Sequence, residues 1–220
     1  MKIKILFLLG FILWLYPILG GQFEGHRKQK VLLSYEQVVE NLETNQVEAD
    51  MQNAREYNER LYEIKSAVGT EFQDYRSQLN PTKNGMMGSI SIPKLSICFP
   101  IYHGTKEEEL SKGIGHIPGS SLPVGGVNTH ALLVGHRGLP KVELFQHLDE
   151  MEIGDLFYLY VYDRKLSYRV IQMDVVRPTE FQGLELQEGR DLVSLITCTP
   201  YGINTHRLIV TGEREDIHEG

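Results

Sequence analysis

The sequence predicts a mainly β domain, a sandwich or barrel, preceded by amphipathic helices. Three observations carry this expectation. From Gly88 onward, short alternating, β-branched segments are separated by Gly, Pro, Asn and Asp, the texture of strands joined by turns. Between Tyr35 and Ile64 the apolar residues recur every three or four positions, which places one stripe on a helix. Before both lies an apolar run with no charged residue from Ile5 to Phe23.

That run is long enough to cross a bilayer as a helix, for which about 17–25 apolar residues suffice. A cleaved signal peptide is the competing reading. Such peptides end in small residues, whereas Ile18 and Leu19 occupy the position two before each plausible cut around Gly20-Gly21. Residues 1–23 are therefore expected to be an uncleaved single-pass anchor. Lys2 and Lys4 precede it while Arg27, Lys28 and Lys30 follow, so flanking charge does not fix its orientation. The very short N-terminal tail favours an inside N-terminus and an outside domain.

Residues 24–84 read as a juxtamembrane segment. Its helical part runs from Ser34 to about residue 66, with Val38, Val39, Leu42, Met51, Ala54, Tyr57 and Leu61 on one face. Residues 66–84 lack a period and end in Asn80-Pro81-Thr82-Lys83-Asn84, which reads as a linker. Strands are expected at Ser89–Ile92, Leu95–Ile97, Ala131–Val134, Phe157–Tyr162, Leu166–Val170, Val193–Thr197 and Arg207–Thr211. The Tyr-rich fourth segment reads as wall of the β domain. Pro118 to Asn128 is too rich in turn formers for a strand and reads as a surface loop; Gly183 to Gly189 is a second loop. Residues 215–220 form a polar tail.

The formal charge is -7 and no Lys/Arg cluster lies beyond the N-terminal stretch, which argues against nucleic acid as a partner. The two cysteines, Cys98 and Cys198, show no zinc-type spacing with histidine, so neither metal nor cofactor is expected. Glu107-Glu108-Glu109 reads as a solvated face.

Cys198 ends an apolar strand and opens into Thr199-Pro200-Tyr201-Gly202, where a thiol meets solvent on fixed backbone. Nine positions later Arg207 starts the next strand, so a hairpin-like return sets a permanent positive charge beside the sulfur. His136 sits at a similar strand end, in Leu132-Leu133-Val134-Gly135-His136-Arg137-Gly138-Leu139-Pro140. A thiol, an imidazole and a guanidinium can supply nucleophile, proton carrier and oxyanion stabiliser. With eight histidines in the chain, spacing alone makes this trio one arrangement among several. His130 reads as structural or surface, and Cys98 as a core thiol.

Leu195-Ile196-Thr197-Cys198, followed by Thr199 to Leu208, resembles the active-site signature of sortases, in particular the class C, pilus-assembling kind. Gly88-Ser89-Ile90-Ser91-Ile92-Pro93-Lys94-Leu95, Pro100-Ile101-Tyr102-His103-Gly104, Gly113-Ile114-Gly115-His116, Ser121 to Gly126 and Gly135 to Pro140 extend the resemblance over roughly 80–214. It implies a closed eight-stranded sortase-type β-barrel over 85–214 whose groove takes an LPxTG-type sorting signal. By the same resemblance Cys198 attacks the Thr–Gly carbonyl, His136 protonates the leaving amine and Arg207 steadies the oxyanion. An acceptor amine, a pilin lysine in class C enzymes, then resolves the acyl-enzyme. A permanent bridge from Cys198 to Cys98 would abolish that chemistry, so two free thiols are expected.

The implied setting is the Gram-positive cell surface, with sorting signals of pilin or surface proteins as partners. Alternatives are attachment of proteins to peptidoglycan, a binding module without catalysis, and a simple cysteine peptidase. Two departures stand out. Ser194 occupies a position where the family usually has Thr, and no Asp-Pro-aromatic lid tripeptide occurs between residues 30 and 84, which implies a lid-lacking variant. Without a second apolar span at the C-terminus, anchoring is expected from the N-terminus alone.

Overall fold

The computed structural model describes residues 29–64, 72–137, 144–180 and 183–215. The anchor expected at 1–23, its orientation and the tail beyond 215 lie outside these. Among the described residues no helix is long and apolar enough to cross a membrane.

Two helices come first: α1 over 29–40 and α2 over Thr44–Glu63. Helix α2 buries Val47, Met51, Ala54, Tyr57, Asn58 and Leu61, the stripe read from spacing, and each large apolar side chain so buried contributes about 1.5–3 kcal/mol. Eight strands then close a barrel: β1 (Met86–Ile92), β2 (Ile97–His103), β3 (Ile114–His116), β4 (Thr129–Val134), β5 (Leu156–Val161), β6 (Arg164–Val176), β7 (Asp191–Thr199) and β8 (His206–Arg214). Their order around the barrel is β1-β2-β3-β4-β7-β8-β6-β5, and β5 returns to β1. Two neighbour pairs, β2/β3 and β4/β7, run parallel. Strand β5 buries Phe157, Leu159 and Val161 and turns Tyr158 and Tyr160 outward, so the Tyr-rich segment is barrel wall.

Helix α2 and the barrel share one core: Met51, Ala54, Tyr57 and Leu61 join Ile90, Leu133, Leu195 and Val210 in the same apolar cluster. Polar groups pin the helices as well. The Tyr35 hydroxyl of α1 donates to the Met87 carbonyl (3.1 Å) and accepts from the Tyr162 amide (3.1 Å). Burial pushes its pKa up to about 12. The Tyr162 hydroxyl donates to Asp50 of α2 at 2.7 Å. Burial first and that carboxylate second raise its pKa.

The structure corrects several sequence expectations. Residues 72–84 are not a loose linker. A 3₁₀ turn at Tyr75–Ser77 drives Tyr75 to full burial, its ring stacked on His116 (centroids 5.7 Å) and edge-on to His103 (5.0 Å). The Tyr75 hydroxyl accepts from the Gly104 amide at 3.1 Å and lies 2.8 Å from His116 Nδ1. The turn-rich stretch 118–128 is a surface loop only toward its end, where Gly126 and Val127 are exposed. Ser120, Ser121, Leu122 and Val124 are buried beneath α2, where the Asn58 side chain donates to the Leu122 carbonyl (3.0 Å) and accepts from its amide (2.7 Å). Those bonds replace the water that a loop backbone otherwise needs. Strand β3 is an addition, and β2 starts beyond Leu95, which belongs to a 3₁₀ turn ending at left-handed Ser96. Cys98 is exposed on β2 rather than in the core. Glu107–Leu110 forms a one-turn helix, α3, and Glu109 is largely covered beside Arg76, so the acidic run is not merely a solvated face.

His116, fully buried, donates from Nε2 to the Ser121 carbonyl (2.8 Å), which leaves Nδ1 to accept from Tyr75. Burial lowers its pKa from 6.5 to about 4, and burial lowers that of His103 too. In the unfolded chain such a ring takes its proton near pH 6.5, whereas in the fold His116 resists until about pH 4. Its contribution, on the order of 3 kcal/mol, is therefore present above about pH 6.5 and lost as pH falls toward 4. Thermal melts between pH 7 and 4.5 should show a falling Tm, with a shallower slope for His116→Gln. Equal slopes for the two proteins would contradict this assignment.

Candidate active site

The site follows from the register of three strands. On β7 the side chains alternate: Val193 and Leu195 join the barrel core, while Ile196 belongs to a second apolar cluster with Leu132, Leu184 and Ile209. Period-two alternation then puts Cys198 on the Ile196 face and Thr197 inward. Thr197 is buried, and its hydroxyl donates to the Gly135 carbonyl at 2.8 Å.

Cys198 and Arg207 are directly opposite in the antiparallel β7/β8 ladder. Such partners lie about 4.5–5.5 Å apart at Cα with side chains on one face. Arg207 is held in place by its own turn, donating from Nη1 to the carbonyls of Asn204 (3.2 Å) and His206 (3.0 Å). His136 arrives from the other side. Strand β4 runs parallel to β7 with Val134 opposite Ile196, and the Gly135 amide donates to the Ile196 carbonyl at 3.0 Å. Two residues beyond that pair come His136, just past the end of β4, and Cys198 on β7.

All three residues line one groove of about 300 Å³ on the outer face of the barrel. Its remaining wall is mostly apolar, with Ile117, Val134, Ile196, Ile209, Val176 and Leu184. None of the lining residues comes from 29–64 or 72–84. His136, Cys198 and Arg207 are each half-buried, so the thiol has both solvent access and a fixed backbone. A larger hollow of about 660 Å³ lies between α2 and 124–129, but neither cysteine nor histidine lines it.

Sequence reading missed several neighbours. Glu107 at the start of α3 places Oε2 3.2 Å from His136 Nε2; only the run of carboxylates hinted at it. Arg137 donates to Thr199 Oγ1 (3.3 Å) and to Asp149 Oδ2 (2.6 Å). His130 is buried, with Nε2 2.8 Å from Ser194 Oγ and Nδ1 3.0 Å from the Glu185 carbonyl. Burial lowers its pKa, and it is a structural group. Ser194 passes the chain on to Thr211 Oγ1 at 2.8 Å, so the hydroxyl that serine shares with threonine is in use. Cys98 and Cys198 are both free thiols. Partial desolvation of the exposed Cys98 side chain, then the charge of Glu36, push its thiol up in pKa, which disfavours the reactive thiolate there.

Gly135 is set by close approach. A Cβ there would lie 2.6 Å from Phe145 Cδ2 and 2.8 Å from Ile114 Cδ1. Gly135→Ala is expected to destabilise the fold by about 1–3 kcal/mol and, by displacing the next residue, His136, to lower peptide cleavage more than about tenfold. Melting temperature and cleavage rate check this; wild-type values for both would contradict it.

No metal-binding cluster of His, Cys, Asp or Glu occurs among the described residues. The arrangement suits covalent acyl transfer, since a thiol, an imidazole and a guanidinium line one groove.

Comparison with known proteins agrees with the barrel fold. A sortase-domain family model matches residues 90–215. Sortase C1 from Streptococcus agalactiae superposes with a TM-score of 0.82 at 40% identity, over 84% of this chain and 98% of that one. Sortase C from Clostridium perfringens, solved with the C-terminal cell wall sorting motif, gives 0.77 at 39% identity, over 86% of this chain and 99% of that one. Among curated sequences, sortase A of Bacillus anthracis is 30% identical over 131 residues, 60% of each chain.

Proposed function

The chain belongs to the sortase family, and from that premise we propose that it is a class C cysteine transpeptidase that joins pilin subunits. The observation that carries the reading is the convergence of Cys198, His136 and Arg207 from three strands on one apolar groove. The Cys198 sulfur, its proton passed to His136, attacks the carbonyl carbon between Thr and Gly of an LPxTG-type sorting signal. The C–S bond forms as the carbonyl electron pair moves to oxygen, where the Arg207 guanidinium faces it. Collapse of this intermediate breaks the C–N bond, and His136 delivers a proton to the departing glycine amine. A thioester to Cys198 remains. An acceptor lysine amine then attacks, His136 takes its proton, and the sulfur leaves.

Among the described residues none from 29–64 or 72–84 lines the groove, which supports the reading of a lid-lacking enzyme. Residues 1–23 would hold it in the membrane with the barrel outside. A second reading, attachment to cell-wall peptidoglycan, has in its favour the likeness to a sortase A. Incubation with a sorting-signal peptide and either a pilin domain or a peptidoglycan-like amine separates the two. The pilin conjugate is expected; peptide cleavage with conjugation only to the peptidoglycan-like amine would reject the pilus role.

A further inference from the structure

The backbone ladder between β4 and β7 ends with the bond from the Gly135 amide to the Ile196 carbonyl, one step short of His136 and Cys198. Side chains continue the attachment. On the near side Thr197 donates to Gly135. On the far side the residue after His136 reaches the residue after Cys198: Arg137 Nη1 donates to Thr199 Oγ1 at 3.3 Å, while Nη2 donates to Asp149 Oδ2 at 2.6 Å. The Arg137 side chain is only 8% exposed, and it does not line the groove.

We propose that Arg137 is a positioning residue whose two-pronged bond to Thr199 and Asp149 fixes the lateral spacing of His136 and Cys198. The proposal rests on reading those two as the reacting pair. A covered arginine outside the groove cannot contact substrate, so its effect must pass through its neighbours. The planar guanidinium donates to both partners from fixed positions, which a single ammonium on a flexible stem does not reproduce. Asp149 balances the charge, and Thr199 transmits the position to the nucleophile's strand. Proton transfer and attack both depend on that spacing, and a displacement of about 1 Å can cost on the order of a hundredfold in rate.

The test measures kcat and KM for cleavage of a sorting-signal peptide by the full chain and by Arg137→Ala, Arg137→Lys, Thr199→Val and the Arg137→Ala/Thr199→Val double variant, with Tm recorded for each. Arg137→Ala is expected to lower kcat by about 10–100-fold with KM within about twofold. Arg137→Lys should recover Tm yet stay at least about tenfold low in kcat. Thr199→Val should lose about three- to tenfold, and the double variant should be no worse than Arg137→Ala, since the two residues share one interaction. Wild-type kcat in Arg137→Lys, or full additivity in the double variant, overturns the proposal. Should Arg137→Ala not fold, wild-type kcat in Thr199→Val overturns it. Active wild type with undiminished variants sinks the clamp alone, whereas a wild type that forms no acyl-enzyme at Cys198 sinks the transpeptidase reading and the clamp with it.

Discussion

Cys198→Ala is expected to abolish sorting-signal cleavage, lowering the rate by at least about 10⁴-fold, because among the described residues no second thiol lines the groove. The other thiol, Cys98, sits on β2 outside the groove, and partial desolvation and Glu36 hold it away from the thiolate form. The fold should tolerate the change. Cys198 is half-buried on an outer strand face, so loss of its sulfur opens no core cavity and Tm should move by no more than a few degrees. Steady-state cleavage and a thermal melt of the same sample separate lost chemistry from lost structure. Residual cleavage within tenfold of wild type would remove Cys198 from the mechanism.

His136→Ala is expected to cost about 10²–10⁴-fold in kcat/KM, the usual range for removing a general acid–base. Without it the glycine amine must leave without a proton, and the acceptor amine has no base. Glu107, 3.2 Å from the ring, is acceptor-only when ionised and does not replace that donor. His206 is the control. It lies opposite Thr199 in the β7/β8 register and pairs with Thr205, so His206→Ala should stay within about threefold of wild type. A deeper loss at His206 than at His136 would reassign the proton carrier.

The parts of this fold that were legible in the sequence are those set by local period. The α2 stripe at Met51, Ala54, Tyr57 and Leu61 and the alternation of β7 and β8 follow from side-chain direction along one element. What escaped depends on distant partners. Strand β3 has three residues, one of them Gly115, too short for any period to register. Residues 118–128 are rich in turn formers, yet Asn58, about sixty positions earlier, satisfies their backbone and lets α2 bury them. Tyr75 was hidden among Gln, Asp and Asn, and only the His103/His116 niche gives it a place.

The site divides in the same way. Cys198 and Arg207 are close in sequence and joined by a hairpin, so their pairing was readable. His136 comes to them only through the parallel β4/β7 pairing; its strand-end place made it one candidate, and the family resemblance singled it out among the histidines. Glu107, Arg137 and Thr199 were missed because their contacts join separate elements, α3 to the turn after β4 and that turn to the end of β7.

Acyl-enzyme mapping tests the central claim most directly. The full chain is incubated with an LPxTG-type peptide without acceptor, quenched in acid, digested and weighed by mass spectrometry. The acyl mass should appear on the fragment that carries Cys198 and vanish in Cys198→Ala. Cleavage that proceeds with Cys198 unmodified, or an adduct on any other residue, would contradict the account.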